Sequence, residues 1–201
     1  MKKDSIIIAP ITATNAAGKS SIALELGKQL GMKSVSAREV LTGLFYTDYQ
    51  REPLSQTELG EFANEIRKDQ GPEWLVKKVY SDILWKNIPG VYILESIRCP
   101  GELMYLQELR EKYPHAVFKP IAIDAPKKVR YRRMVARPQD FKTPQSYRQF
   151  LMYEAEEYDQ PEPWQMNIKK CIELVPPEGH FENLNGHFYE TVGKIRDYLM
   201  R

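Results

Sequence analysis

The sequence has few residues that could build a covalent or metal-based framework, and it has no long apolar run. Its 201 residues include two cysteines, Cys99 and Cys171, and three histidines. Two isolated cysteines exclude a disulfide framework, and the histidines lack the spacing of a zinc site. The opening segment MKKDSIIIAP has three consecutive large apolar residues, too few for a signal-peptide core or a membrane span. We therefore expect a cytoplasmic protein that does not bind membranes.

Net charge is also small. The chain carries 29 Lys and Arg residues against 27 Asp and Glu residues, a net charge of +2, so a general affinity for polyanions is not indicated. Charge is nevertheless segregated, because basic residues are concentrated from Lys119 to Arg148 and acidic residues from Glu154 to Glu162. This pattern can focus anionic ligands on one side of a cleft, although two solvated helix faces would produce it as well.

Short apolar segments alternate with amphipathic ones along the chain. At 42% hydrophobic residues, a chain of this length suits one domain, residues 1–201. The apolar segments predict strands at Ile6–Ile8, Val91–Glu95, Ile121–Asp124 and Cys171–Val175, and a brief strand is expected at Lys33–Ser36 after the first helix. Strands separated by helices imply right-handed crossovers. We expect a three-layer α/β/α fold in which helices cover both faces of a parallel five-stranded sheet.

The most specific motif lies between the first strand and the first helix. The segment ATNAAGKSS matches the phosphate-binding pattern G-x-x-x-x-G-K-S/T at Gly18, Lys19 and Ser20, whereas Ala13 replaces the first glycine. Backbone N–H groups at a helix N-terminus bind phosphate. Lys19 would reach the β- and γ-phosphates of ATP, and the Ser20 hydroxyl would hold Mg²⁺.

We call this segment the P-loop and predict that it binds ATP with Mg²⁺. The predicted nucleotide-binding residues are Ala13, Thr14, Asn15, Ala16, Ala17, Gly18, Lys19, Ser20 and Ser21. Alanine retains the backbone donor that glycine would supply. It costs roughly 1–2 kcal/mol wherever the loop requires a left-handed dihedral angle. The alanines can therefore change the conformation of the loop, but they leave its phosphate-binding N–H groups and the Lys19 charge in place.

The order of motifs along nearly the whole chain resembles the nucleoside monophosphate kinase group of P-loop proteins. It is most similar to dephospho-CoA kinase-like and adenylate kinase-like members. The segments that carry the resemblance are AAGKSS, SAREVL, EIRKDQGP, VYILESIRCPGE, IAIDAPKKVRYRR and ARPQDFKTPQSYRQF. It implies a helical acceptor-binding insert at about 38–86 and a lid at about 137–159. It also implies Mg²⁺-dependent transfer of the γ-phosphoryl group of ATP to a nucleotide-like acceptor, a nucleoside monophosphate or a dephospho-CoA-like compound.

The matches imply roles for individual side chains. By resemblance, the acceptor-binding residues are Glu39, Arg67 and Arg98. Glu95 is at the carboxyl end of a buried strand, where ligands bind in open α/β sheets, and could hold Mg²⁺ or orient an acceptor hydroxyl. We assign catalytic roles to Lys19, Glu95, Arg133 and Arg137, and metal-binding roles to Ser20 and Glu95. The chain departs from the family pattern where Thr42 and Tyr153 replace arginines and Ser96 replaces a glycine.

Two other functions stay open at this point. The alanines, with Thr42 and Tyr153, would suit a catalytically weakened nucleotide-binding regulator. The basic segment would suit a nucleic-acid-associated ATPase, but the interleaved aromatic and basic residues of an RNA-binding module are absent from the sequence. We expect a small-molecule partner rather than nucleic acid. No feature of the sequence predicts an oligomeric state.

Overall fold

The computed structural model describes residues 6–85, 89–136 and 143–201. Its strands are β1 (Ile6–Ala13), β2 (Lys33–Ser36), β3 (Gly90–Ile97), β4 (Ala116–Phe118), β5 (Ile121–Asp124) and β6 (His180–Glu182). Its helices are α1 (Lys19–Leu30), α2 (Ala37–Tyr49), α3 (Gln56–Gln70), α4 (Trp74–Trp85), α5 (Pro100–Lys112), α6 (Lys127–Val135), α7 (Tyr147–Tyr158), α8 (Ile168–Leu174) and α9 (Phe188–Met200). Within these ranges, every helix is too short or too polar to span a lipid bilayer.

The strands form one parallel sheet in the order β2-β3-β1-β5-β6. Beside β1, one position is shared by two short strands. Ile6–Ile8 of β1 pair with Ala116–Phe118 of β4, and Ile11–Ala13 pair with Ile121–Ile123 of β5. Pro120 separates the two strands, and it has no N–H group to donate to the ladder. The sheet therefore has the five positions that the sequence predicts, with β1 at the centre.

Alternate residues of β1 face two different cores. Ile6 and Ile8 belong to the core that the sheet forms with α4, α5 and α8. Ile7, Ala9 and Ile11 belong to the core formed with α1 and α9. Because both faces of the strand are covered, it reads as a continuous apolar run without alternation. The predicted three-layer architecture is confirmed.

The last strand is not where the sequence predicts it. The expectation of a strand at Cys171–Val175 is wrong, because this segment belongs mostly to α8, and β6 follows at His180–Glu182. Ile168, Cys171 and Val175 are all buried, at the helical spacing i, i+3, i+7. A five-residue window hides this period, which explains the error.

Three helices, α2 to α4, lie between β2 and β3. We call these helices the insert; their role in binding an acceptor stays a prediction. The insert has its own small apolar cluster, in which the rings of Phe45 and Phe62 meet edge to face with centroids 5.2 Å apart. Ser55 caps α3 by accepting a hydrogen bond from the Glu58 N–H group at 3.0 Å, as its sequence spacing indicates. Local sequence thus determines much of the insert.

A buried ion pair ties the insert to the rest of the fold. Arg67 of α3 donates from Nε and Nη2 to Glu102 Oε1 at 3.2 and 3.0 Å. The other Glu102 oxygen accepts the backbone N–H groups of Arg98 and Cys99 at 3.0 and 3.1 Å. Although burial alone disfavours the charged guanidinium, Glu102 keeps the pKa of Arg67 above its ordinary value. The pair fixes the insert relative to the end of β3.

The turn from β1 into α1 needs left-handed backbone at two residues only. Ala16 has φ 60° and Gly18 has φ 99°. Ala13 lies inside the parallel ladder, paired with Ile123, and Ala17 is not among the residues with positive φ. The missing first glycine of the motif therefore causes no strain, and only one of the three alanines adopts a backbone conformation that disfavours alanine.

We predict that Ala16→Gly gives a more stable protein than Ala17→Gly, by about 1–2 kcal/mol. Both substitutions remove a buried methyl group, but only the first relieves a left-handed alanine. Urea unfolding of the two variants measures the difference directly. Equal stabilities would show that Ala16 carries no strain.

We also predict that Glu102→Gln lowers the free energy of unfolding by about 3–5 kcal/mol, because it leaves the buried Arg67 charge without a carboxylate. Glu111→Gln, on the exposed face of the same helix, is the matched control and should change stability by less than about 0.5 kcal/mol. Thermal or urea unfolding followed by circular dichroism measures both. Similar losses for the two variants would contradict the structural role of the pair.

Candidate active site

The P-loop emerges at the carboxyl end of the central strand, where open α/β sheets bind their ligands. Within the turn, the Ala17 N–H group donates to Thr14 O at 3.1 Å. The Thr14 hydroxyl donates to Asp124 Oδ1 at 2.5 Å, and the same oxygen accepts the Ala125 N–H group at 2.8 Å. Asp124 ends β5, so its carboxylate anchors the P-loop to the neighbouring strand.

The loop after β6 contacts the P-loop through hydrogen bonds to the Ala17 carbonyl. Asn183 donates from Nδ2 to Ala17 O at 2.7 Å, and Arg133 donates from Nη1 to the same carbonyl at 3.3 Å. Arg133 Nη2 also donates to Asn183 O at 2.9 Å. A Cβ atom on Gly18 would lie 2.4 Å from Asn183 Nδ2, so a side chain at this position would push Asn183 out of its contact with Ala17.

The basic helix α6 packs against the acidic helix α7. Arg130 is buried and donates to Ala125 O at 2.7 Å and to Asn15 O at 3.4 Å. It forms an ion pair with Glu154, whose other carboxylate oxygen lies 3.3 Å from Lys127 Nζ. Two of the basic residues, Lys127 and Arg130, are thus paired with an acid of the adjacent helix.

A second carboxylate of α7 contacts the P-loop itself. Glu157 Oε2 forms an ion pair with Arg98 Nη1 and accepts a hydrogen bond from Asn15 Nδ2 at 3.0 Å. Arg98 Nη2 in turn donates to Asn15 Oδ1 at 3.3 Å. These three side chains link the end of β3, the P-loop and α7 in a closed ring of contacts.

A cleft of about 550 Å³ opens between the P-loop, the insert and α7. The P-loop and its helix contribute Asn15, Ala16, Gly18, Lys19, Ser20 and Ser21. The opposite wall comes from α2 and α3 and includes Arg38, Leu41, Leu59, Ala63 and Asn64. This volume is within the usual range of ligand-binding clefts. The cleft can therefore hold a small molecule beside the P-loop.

The remaining P-loop residues are buried behind the residues that line the cleft. Ala13, Thr14 and Ala17 are buried and do not line it. Lys19 is half-buried at the start of α1, and Ser20 is exposed there. The structure therefore brings Lys19, Ser20 and the turn backbone together at one helix N-terminus.

Arg137, the predicted lid arginine, lies outside the described residues, as does the start of the predicted lid.

Two predicted acids are not part of the cleft lining. Glu95 accepts a hydrogen bond from the Ser34 hydroxyl at 2.9 Å, between the ends of β3 and β2. Glu39 is exposed in the first turn of α2, and its neighbour Arg38 borders the cleft instead. The metal and catalytic roles of Glu95 and the acceptor role of Glu39 stay predictions.

The two predicted acceptor arginines both border the cleft, but each has a carboxylate partner. Arg67 is paired with Glu102, and Arg98 with Glu157.

Burial raises the pKa of the Cys99 thiol to about 11, and burial also raises the pKa of the Cys171 thiol. A raised pKa favours the neutral thiol, so neither position suits a thiolate nucleophile.

Three residues of this site were missed by sequence reasoning. Asp124 ends a correctly predicted strand and could have been found from that position. Asn183 was missed because the last strand was placed too early in the chain. Glu157 was counted only as part of an acidic cluster, since nothing in the sequence links it to Arg98.

Within the described part of the chain, no group of three or more His, Cys, Asp or Glu side chains could hold a metal ion. Mg²⁺ in phosphoryl-transfer sites does not need such a group, because it is bound through one or two protein ligands, waters and substrate phosphates. The exposed Ser20 hydroxyl beside Lys19 fits that requirement.

Comparisons with solved structures agree with the fold. A shikimate kinase from Bacteroides thetaiotaomicron superposes with a TM-score of 0.55 at 11% identity, covering 97% of this chain and 99% of that one. A putative kinase from Chloroflexus aurantiacus gives a TM-score of 0.53 at 14% identity, covering 98% and 99% of the two chains. TT1252 from Thermus thermophilus gives 0.54 at 16% identity, covering 98% and 97%.

Curated protein sequences gave no match. A family model described as an AAA domain matches residues 10–165, from the middle of β1 to the segment between α7 and α8. This match includes the P-loop, the insert and most residues that line the cleft. The chain belongs to this AAA-domain family of P-loop proteins.

Proposed function

We propose that this protein is an ATP-dependent small-molecule kinase. The observation that carries the proposal is the cleft itself, which has the P-loop on one side and a separate helical insert on the other. Phosphoryl transfer requires that a donor phosphate and an acceptor be held in line, and a two-walled cleft can do so. The likeness to the shikimate kinase fold supports the same reaction class.

In the proposed reaction, the P-loop amides and Lys19 bind the donor phosphates. Lys19 lies at the N-terminus of α1, where the helix dipole adds partial positive charge. Positive charge held in a fixed position stabilises the transferring group without reorganisation during the reaction. The Ser20 hydroxyl and the Glu95 carboxylate are the groups proposed to hold Mg²⁺. The metal ion would neutralise phosphate charge.

The acceptor binds against the insert. The sequence predicts a nucleotide-like acceptor held by Arg67 and Arg98, and a hydroxyl compound is the alternative that the cleft also accommodates. Both would receive the γ-phosphoryl group of the bound ATP. The nucleic-acid alternative has less support, because Lys127 and Arg130 of the basic segment are paired with Glu154.

We predict that Lys19→Ala lowers kcat for phosphoryl transfer by about 10²–10³-fold, since it removes a charged donor that stabilises the transferring group. Lys28→Ala, on the exposed part of the same helix, is the control and should leave turnover unchanged. The measurement is ADP release in the presence of a panel of acceptors. Unchanged turnover in Lys19→Ala would refute the proposed function.

Arg133 has a positioning role in this proposal, because its guanidinium contacts the Ala17 carbonyl behind the P-loop. We predict that Arg133→Ala raises KM for ATP by about tenfold or more, from the loss of charge-assisted hydrogen bonds, with a smaller effect on kcat. Steady-state kinetics at varied ATP separates the two parameters. A fall in kcat at constant KM would instead support the catalytic role predicted from the sequence.

A further inference from the structure

We propose that Glu157 occupies the anion-binding position at Arg98, so that the cleft selects an acceptor that is uncharged at this point, such as a polyol. This inference rests on the proposed function, because it takes the cleft beside the P-loop as the acceptor site. It reverses one expectation from the sequence. An arginine predicted to bind the phosphate of the acceptor is already bound to a carboxylate of the protein.

The contacts of Glu157 are those that a bound phosphate oxygen would make. Glu157 Oε2 receives the Arg98 guanidinium and the Asn15 amide, and Asn15 also accepts from Arg98. Asn15 is a P-loop residue that lines the cleft. The carboxylate therefore lies in the cleft beside the P-loop, where an acceptor phosphate held by Arg98 would bind.

Displacing Glu157 would be unfavourable. The Arg98 and Glu157 side chains are 14% and 6% exposed, so little water is available to either group. An incoming phosphate would separate a nearly buried ion pair and leave a carboxylate without its partner. It would also approach that carboxylate at short range in a site of low dielectric constant. A neutral hydroxyl group meets neither obstacle.

The rest of the cleft lining, away from the P-loop, has the same character. The second predicted acceptor arginine, Arg67, is engaged by Glu102. Arg38 adds one positive charge to the lining, against the carboxylates of Glu61 and Glu156. The uncharged hydrogen-bonding groups around them include Ser55, Thr57, Asn64, Gln160 and Gln165. Hydroxyl and amide groups both donate and accept, which matches the hydroxyl groups of a polyol.

The test compares two neighbouring substitutions, Glu157→Gln and Glu156→Gln. Both remove one negative charge from the cleft, but only the first removes the partner of Arg98. The donor site is filled with a non-hydrolysable ATP analogue and Mg²⁺, and inorganic phosphate is titrated calorimetrically. We expect Glu157→Gln to bind phosphate at least tenfold more tightly than either the wild type or Glu156→Gln. Adding Arg98→Gln to Glu157→Gln should abolish the gain.

The inference is overturned if Glu157→Gln binds phosphate no more tightly than the wild type, if Glu156→Gln gains as much, or if the gain survives Arg98→Gln. Failure of the ATP analogue to bind would refute the proposed function instead. A second measurement needs no variant. With the analogue bound, ribose 5-phosphate and glycerol 3-phosphate should raise the melting temperature of the wild type no more than ribose and glycerol do at equal ionic strength. A larger shift with the phosphorylated compounds overturns the inference.

Discussion

The site depends on the close approach of Asn183 to the P-loop at Gly18. The Asn183 amide bonds to the Ala17 carbonyl at 2.7 Å and leaves no space for a Cβ atom at Gly18, which has φ 99°. This contact holds the turn in the conformation from which α1 begins. The N–H groups of the first turn of α1 have no partner within their helix, so they are suited to bind phosphate. The glycine that matters in this chain is the second of the motif, and it is retained.

Ion pairs between distant segments hold the other elements around that turn. Arg67 with Glu102 joins the insert to α5, Arg98 with Glu157 joins β3 to α7, and Arg130 with Glu154 joins α6 to α7. Each pair is mostly removed from water, so each arginine requires its carboxylate for the fold as well as for charge balance. These arginines therefore contribute less free positive charge to the cleft than their number suggests.

Local patterns were sufficient to predict most of the fold. The unalternating run of β1 indicated a strand covered on both faces, and the spacing of Ser55 and Glu58 indicated the start of α3. The misplaced last strand was a local error of periodicity, whereas the pairing of the two acceptor arginines was missed because it depends on contacts between distant segments. Glu102 lies 35 residues from Arg67, and Glu157 lies 59 residues from Arg98. Side-chain type alone cannot distinguish an arginine that binds substrate from one that is paired with a distant carboxylate.

Backbone conformation was only partly predictable for the same reason. Ser96, which stands where the kinases that the sequence resembles have a glycine, adopts φ 72° at a bulge where the pairing of β1 and β3 shifts between Glu95 and Ile97. Ala13 replaces another and has ordinary strand geometry. Whether a missing glycine disrupts a turn depends on the dihedral angle that the surrounding fold imposes, which the motif does not specify.

The central claim is that backbone amides from Ala16 to Ser20 bind the triphosphate of ATP. It is tested most directly by assigning the amide resonances of the intact protein and titrating it with ATP and Mg²⁺. The account predicts that the amides of residues 16–20 show the largest chemical-shift changes, which saturate together with a single dissociation constant. Saturable changes confined to another part of the protein, or no changes at millimolar ATP, would contradict it.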